Sequence, residues 1–158
     1  GADLTISGTV GAAWEAASYG VPALAVSLQT DMNSHINHRL DVDFSGAIHF
    51  TRMFAKRLLY IDSTNDVDLL NINVPMNANK NTAWKITRQS RKQYFVPTNL
   101  SNPDLIQYKR ADDYEEAESD SDICAITKEK VVSITPISID ATARVSLLDF
   151  EEKMSQLD

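Results

Sequence analysis

The chain has 158 residues, 43% hydrophobic and 23% charged, which is typical of a globular domain with a sizeable core. Its formal net charge of −7 argues against a general nucleic-acid or anionic-membrane surface, so we expect neither a nucleic-acid polymer nor a membrane among its partners. No apolar run approaches the roughly 20 residues of a membrane span. The single cysteine, Cys124, excludes an internal disulfide and fits a reducing compartment, which favours a cytoplasmic location.

The first thirty residues combine two short apolar runs with one small-residue helical pattern. The stretch "ADLTIS", residues 2–7, is predicted as a short strand, and residues 9–19 as a helix that stops at Gly20. "ALAVSL", residues 23–28, is typical of a buried strand. The positions of the helix expected to face a sheet are Val10, Ala13, Trp14 and Ala17. Because the chain opens without Met and enters a strand at once, we expect a fragment of a longer protein.

A second helix and a third strand follow a polar connection over residues 31–43. Helical spacing is shown by Phe44, Ala47, Ile48, Thr51, Ala55, Leu58 and Leu59. "LLNINVP", residues 69–75, is predicted as a strand. Two β-α-β units in succession indicate a mainly parallel sheet flanked by helices, so the expected fold class is α/β.

The second half of the chain has a different pattern. Residues from about 84 to 126 are predicted as an extended antiparallel β arm. Within it, residues 112–122 hold seven acidic and no basic side chains, which indicates a solvated, mobile loop. "VVSITPISID" should form a strand that ends at Pro136, and residues 145–157 a C-terminal helix. We therefore expect one α/β domain, residues 1–158, that carries the arm.

A Ser-Gly-Thr corner, formed by Ser7, Gly8 and Thr9, lies where the first predicted strand meets the first helix. Ligands of open α/β sheets bind beyond the carboxyl ends of strands, and the free N–H groups of a helix N-terminus favour anions. Gly8 permits close approach of a ligand, and the two hydroxyls can donate to phosphate oxygens. A plain N-cap by Ser7 or Thr9 explains the same residues, so both interpretations stay open here.

Several polar side chains are weaker candidates for metal ligands. His35 and His38 have a three-residue spacing that fits one helical face, but no carboxylate or third His lies nearby in the sequence. Asp41 and Asp43 are better explained as residues that open the second helix. His49, between two apolar residues of that helix, is predicted to be a packing or surface residue.

Two further groups have a functional and a structural interpretation. Asn71 and Asn73 alternate on one face of their strand, as hydrogen-bonded structural residues or as neighbours of a site. A basic cluster with aromatic neighbours comprises Arg88, Arg91, Lys92, Tyr94 and Phe95. A solvated strand face is favoured for this cluster over a nucleobase or phosphate contact across a subunit boundary. Cys124 is expected to be a buried small residue.

Three stretches, in order, resemble the SurE (survival protein E) nucleotidases. "SGTVGAAWEAASYGVPALAVS" is similar to the signature segment of that family, and "LLNINVP" to its Asn-containing strand ending in Val-Pro. "SDICAITKEKVVSITPISID" is similar to its late Asp-x-x-Ala and Val-Ser-Ile-Thr-Pro segment. The resemblance covers nearly the whole chain. It implies a Rossmann-like fold and an arm used in oligomerisation, so a homodimer or homotetramer is expected.

The same resemblance implies a phosphatase that acts on nucleoside 5′- and 3′-monophosphates, and in some members on short polyphosphates. It implies Mg²⁺ or Mn²⁺ as cofactor, and a corner of Ser7, Gly8 and Thr9 that holds the substrate phosphate. The metal ligands of the family, an adjacent Asp pair, a Ser and an Asn, precede the signature segment and have no counterpart in residues 1–158. Arg144 also departs from the family pattern, which often has a His there.

The chain thus resembles the C-terminal part of such an enzyme and contains no identified catalytic residue or metal ligand. We expect this stretch alone to be inactive, since a helix N-terminus cannot by itself lower the barrier of phosphate-ester hydrolysis. The alternative function is a nucleotide-binding or assembly module that does not hydrolyse. An Asp pair upstream of Gly1 would favour the enzyme.

Overall fold

The computed structural model describes residues 1–30, 42–60, 66–98 and 107–156. Its helices are α1 (Gly8–Ser18), α2 (Ser45–Leu58), α3 (Asp122–Cys124) and α4 (Leu147–Ser155). Its strands are β1 (Ala23–Leu28), β2 (Leu69–Val74), β3 (Trp84–Ile86), β4 (Phe95–Thr98), β5 (Gln107–Arg110) and β6 (Val132–Ile137). A 3-10 turn over Ala2–Ile6 leads into α1, and a π turn over Ala125–Glu129 follows α3.

Four strands form the main sheet in the order β1-β2-β6-β3. β1 and β2 run parallel, with Ala23 opposite Leu69, and β3 runs parallel to β6. β6 is antiparallel to β2, with Leu69 opposite Ile137. The predicted α/β class with a mainly parallel, helix-flanked sheet is confirmed.

The first helix packs on one sheet face because its small apolar residues recur at helical spacing. Val10, Ala13 and Ala17 are buried there, with Trp14 half-buried beside them. The helix ends as predicted at Gly20, whose φ of +76° suits glycine. Gly20 N donates to Ala17 O (2.8 Å) and Val21 N to Ala16 O (3.3 Å), which is the hydrogen-bond pattern of a Schellman motif.

The second helix covers the opposite face of the sheet. Its buried side chains Ala47, Phe50, Phe54 and Leu58 pack against Leu70, Ile72 and Val74 of β2. The predicted helix is confirmed, but not all of the apolar residues expected on its buried face are buried. Phe44, Ile48 and Leu59 are exposed. Phe50 and Phe54 are buried instead. The buried stripe of a helix holds only about three residues in two turns, so not every apolar residue of α2 can face the sheet.

The segment before α1 is not the strand that the sequence predicts. Ala2–Ile6 forms a 3-10 turn in which Leu4 N donates to Gly1 O (3.1 Å) and Ser7 N to Leu4 O (3.2 Å). An apolar run of six residues fits either conformation. Local hydrogen bonds and a bond from Ala2 N to Lys92 O (2.8 Å) decide between them here.

The predicted β arm is smaller than its sequence range suggests. β4 and β5 form a two-stranded antiparallel sheet, with Phe95 opposite Arg110. Residues 84–86, by contrast, form β3 of the main sheet, where Trp84 lies opposite Val132. The end of the expected arm is helical, as α3 and the following π turn.

The remaining predicted elements of the C-terminal part are present. β6 extends one residue past Pro136, which is exposed, and α4 matches the predicted C-terminal helix without burying any side chain. Among the residues that the structure describes, no helix is both long and apolar enough to cross a membrane.

Candidate functional site

The N-terminus of α1 is open and capped by a single serine. Ser7 is extended (φ −76°, ψ 115°), and its Oγ accepts a hydrogen bond from Val10 N (3.3 Å), which confirms the cap interpretation for this residue. Gly8 and Thr9, the first two helical residues, are exposed. A Cβ placed on Gly8 would meet no atom within 4 Å, so a ligand can approach the backbone there.

Ser7 therefore does not follow a strand, as the sequence analysis supposed, but a 3-10 turn. The corner nevertheless points toward the expected edge of the sheet. Because only residues 19–22 connect α1 to β1, the helix runs back alongside that strand, and its N-terminus points toward the carboxyl ends of β1 and β2.

The sheet face under α1 changes from apolar to polar in the direction of this edge. Near the C-terminus of α1 the face presents Ala23, Leu69 and Ile137. Toward the carboxyl ends of β1 and β2 the same face presents Ser27, Asn71, Asn73, Ser133 and Thr135. Asn71 is buried and Asn73 half-buried, and both lie on the sheet face that α1 covers.

Three buried hydroxyls extend this polar face toward β3. Thr87 Oγ1 lies 2.7 Å from Ser133 Oγ and 2.8 Å from Thr135 Oγ1. The exposed fractions of the three side chains are 5% or less. Sequence reasoning missed this group, although the alternation of Ser133 and Thr135 in "VSITPI" was a signal for a polar strand face. The pairing with Thr87 depends on the tertiary structure.

The acidic segment 112–122 exposes most of its carboxylates, as predicted for a solvated loop, but it is also anchored by specific hydrogen bonds. Lys92 Nζ binds Asp113 Oδ2 (2.7 Å) and Glu116 Oε2 (3.2 Å). The hydrogen bond to Asp113, followed by that to Glu116, raises the pKa of Lys92, and Lys92 in turn lowers the pKa of Asp113. Lys109 Nζ binds the Asp112 carboxylate as well (3.1 Å), so several carboxylates of this segment are paired with a specific donor.

The pKa of the Glu118 carboxyl is lowered strongly by two hydrogen bonds. The Ser90 hydroxyl donates to its Oε2 (2.6 Å) and Arg91 N to its Oε1 (3.1 Å). These bonds, the Ser90 hydroxyl first, hold the pKa of the Glu118 carboxyl at about 2, because they stabilise the charged form.

Asp122 ends this segment as a buried carboxylate, with 3% of the residue exposed. Its Oδ1 accepts from Ser90 N (3.0 Å) and Ile123 N (2.8 Å), and its Oδ2 from the nitrogen of Gly1 (2.6 Å). The carboxylate therefore joins three parts of the chain, including the start of the turn that leads into α1.

The basic cluster does not form a continuous strand face. Its Lys92 is neutralised by the acidic segment, while Arg88 and Arg91 are exposed. Tyr94 accepts a hydrogen bond from Gln29 Nε2 (3.4 Å) and lies edge-on to Phe95. The cluster mainly supports the segment that contacts Gly1 and Asp3.

The other candidate metal ligands lie only partly within the described residues. His35, His38 and Asp41 lie outside the described residues. Asp43 accepts from Ser45 N (2.8 Å) at the start of α2, which lowers its pKa and confirms the helix-opening interpretation. His49 is exposed, and Cys124 is buried as predicted.

Within the described ranges, no three His, Cys, Asp or Glu side chains are grouped closely enough to hold a metal ion. These residues do not fit the divalent cation that the resemblance implies. An open depression of about 520 Å³ is lined by Met53, Lys56, Arg57 and Tyr60 of the α2 region, on the face of the sheet opposite to α1.

Comparison with known proteins identifies the class of this α/β chain. The family model described as "Survival protein SurE" matches residues 1–96. The 5′-nucleotidase SurE of Thermococcus kodakarensis is 40% identical over 158 residues, covering 95% of this chain and 58% of that protein. The 5′-nucleotidase SurE of Methanothrix thermoacetophila is 38% identical over 169 residues, covering 98% of this chain and 60% of that protein. The chain belongs to the SurE family.

The crystal structure of the SurE protein from Aquifex aeolicus has the same fold, with a TM-score of 0.66 at 23% identity. The match covers 99% of this chain and 60% of that one. The chain thus spans somewhat more than half the length of the curated relatives that it matches.

Proposed function

We propose that the complete protein to which this sequence belongs hydrolyses nucleoside 5′- and 3′-monophosphates, and that Ser7, Gly8 and Thr9 hold the phosphate of the substrate. The names of the relatives from Thermococcus and Methanothrix support the reaction class. The observation that carries the assignment of the site is the open N-terminus of α1, where Gly8 and Thr9 are exposed beside the Ser7 cap.

The chemistry of this corner suits a phosphate dianion. The first N–H groups of a helix have no intrahelical acceptor, and the helix dipole adds roughly 0.3–1 kcal/mol for an exposed anion. Since Ser7 Oγ accepts from Val10 N, its hydroxyl hydrogen is free to donate outward, as is that of Thr9. Each hydrogen bond to a charged oxygen contributes roughly 1.5–3 kcal/mol.

The polar part of the sheet face under α1 can bind the part of a substrate that extends beyond the corner. Asn71 and Asn73 on β2 offer amide donors and acceptors beside the carboxyl ends of two parallel strands, where ligands of α/β sheets bind. Ribose hydroxyls of a nucleotide fit this chemistry. Short polyphosphates, which also present several acceptor oxygens to the corner, are a second substrate class.

The corner and its polar neighbours do not complete a phosphatase. Hydrolysis of a phosphate monoester needs one of the largest barrier reductions known in enzymology, and the corner supplies only a few kcal/mol. When bound, Mg²⁺ or Mn²⁺ would polarise the phosphoryl group and orient water. The described residues do not fit such an ion. We propose that its ligands precede Gly1 in the complete protein, and that this protein is a cytoplasmic homodimer or homotetramer.

A binding or assembly module without hydrolysis is the second candidate, favoured by the absence of a metal-ligand group from the described part of the chain. One experiment separates the two. The full-length polypeptide is assayed for release of phosphate from AMP and GMP in Mg²⁺ or Mn²⁺ and after chelation. We expect turnover that stops in chelator for the full polypeptide and none for residues 1–158 alone. Nucleotide binding without turnover would support the module, and metal-dependent turnover by residues 1–158 would refute our placement of the site.

A further inference from the structure

Asp122 lies far from the α1 corner in sequence but is linked to it by a short series of hydrogen bonds. Its carboxylate is 3% exposed and accepts from Ser90 N and Ile123 N, so it is fixed on one side by the segment before β4 and by α3. On the other side its Oδ2 accepts from the Gly1 nitrogen at 2.6 Å. In this chain that nitrogen is the terminal ammonium, so the contact is also an ion pair. In the full-length polypeptide the backbone N–H of residue 1 is the donor left to make this bond.

Gly1 fits this place only because it has no side chain. A Cβ there would lie 2.7 Å from Asp3 Oδ1, 2.7 Å from Lys92 O and 2.9 Å from Ile123 Cδ1. The backbone oxygen of Lys92 cannot turn away as a flexible side chain can, so a larger residue has to displace the segment. Close packing and the hydrogen bond to Asp122 therefore fix the position of Gly1 independently of each other.

A single hydrogen-bonded turn, Ala2–Ile6, connects Gly1 to the corner. Ala2 N donates to Lys92 O (2.8 Å), and Asp3 Oδ2 accepts from Phe95 N (3.3 Å). The 3-10 turn then closes with Ser7 N donating to Leu4 O (3.2 Å), and Leu4 packs against the core under α1. Only the five residues Ala2–Ile6 thus separate Gly1 from the Ser7 cap.

We infer that Asp122 and Gly1 are positioning residues for the phosphate corner, which they hold at the mouth of α1 through the turn over Ala2–Ile6. The inference rests on the proposed function of Ser7, Gly8 and Thr9. It gives the buried carboxylate a role in substrate affinity, because a displaced turn moves the Ser7 cap and the first N–H groups of α1. Neither Asp122 nor Gly1 touches the substrate.

The test measures KM for AMP and the inhibition constant for inorganic phosphate in the full-length polypeptide. In Asp122→Asn, an amide N–H replaces one acceptor oxygen, and in Gly1→Ala the new Cβ meets Lys92 O. We expect each variant to raise both constants about fivefold or more, with a smaller change in kcat. Asp120→Asn, an exposed carboxylate two residues earlier, should leave both constants unchanged.

A double-mutant cycle with Thr9→Val distinguishes positioning from a general loss of stability. If Asp122 acts through the corner, its effect on KM shrinks in the Thr9→Val background, so that the double variant falls roughly threefold or more short of the product of the single effects. Independent multiplication of the two effects would overturn the inference, as would unchanged constants in both Asp122→Asn and Gly1→Ala. If Asp122→Asn does not fold, Gly1→Ala takes its place in the cycle.

The cycle also separates this inference from the proposed function. A raised KM in Thr9→Val with normal constants in the Asp122 and Gly1 variants would refute only the positioning role. Unchanged constants in Thr9→Val would refute the phosphate corner itself and the positioning role with it.

Discussion

At the scale of single residues, the acidic segment shows how a structural contact becomes a pH dependence. The folded pKa of Glu118, about 2, lies below its ordinary value of 4.5, chiefly because Ser90 donates to the carboxylate. A depressed folded pKa stabilises the native state fully above pH 4.5, and this contribution disappears as the pH falls from 4.5 toward 2.

Glu118→Gln should therefore lower the free energy of unfolding at pH 7 by roughly 1 kcal/mol, after allowance for solvent screening. Its difference from the parent protein should shrink steadily as the pH falls below 4.5 and be mostly lost near pH 2, where the carboxyl of the folded parent is about half protonated. Urea titrations at pH 7, 4.5 and 2.5 measure this, with the exposed Glu152→Gln of α4 as the matched control. A difference that stays constant with pH would show that the carboxylate is not specifically stabilised.

At the scale of elements, Gly11 within α1 and Gly20 just beyond it have opposite conformational settings. Gly11 lies inside the helix, where an added Cβ meets nothing within 4 Å, whereas Gly20 ends it with φ +76°. Gly11→Ala should raise the free energy of unfolding by roughly 0.5–1 kcal/mol through helix propensity. Gly20→Ala should lower it by about 1 kcal/mol, because an alanine is strained at positive φ. Equal effects of the two substitutions in chemical denaturation would contradict the Schellman end of α1.

The β4–β5 pair is the element that we propose for assembly. A two-stranded sheet is marginal in water, and the side chains of Tyr108, Lys109 and Arg110 on β5 are exposed. Replacing residues 96–109 by a short Gly-Ser turn leaves β3, Ser90 and Asp122 in place, and we expect a smaller species by light scattering. An unchanged mass of the folded variant would exclude this pair as the assembly element.

At the scale of the whole molecule, the sequence correctly predicts those elements whose apolar pattern extends over many neighbouring residues. The helical spacing of α1 and the apolar runs of β1 and β2 led to their structures with errors of about one residue. The short run before α1 did not, because contacts with Lys92 and Phe95 select a turn there. Likewise β3 takes its place in the sheet by pairing with β6, almost 50 residues further along the chain.

The candidate site likewise has a part that local sequence predicts and a part that depends on tertiary contacts. Ser7, Gly8 and Thr9 form a local motif, and the sequence placed them correctly at a helix N-terminus. The buried Asp122 was instead assigned to a solvated loop, because composition cannot reveal that Ser90 N, 32 residues away, binds its carboxylate. Hydroxyls of Thr87, Ser133 and Thr135 meet only when β3 and β6 pair.

The most direct test of the phosphate corner is the effect of Thr9→Val on AMP hydrolysis by the full-length polypeptide. Loss of one hydrogen bond to a charged oxygen should lower kcat/KM by roughly 1.5–3 kcal/mol, or about 10- to 150-fold, at unchanged stability. Thr51→Val on α2, across the sheet, should have no such effect. Unchanged kcat/KM in a folded Thr9→Val protein would contradict a phosphate site at the mouth of α1.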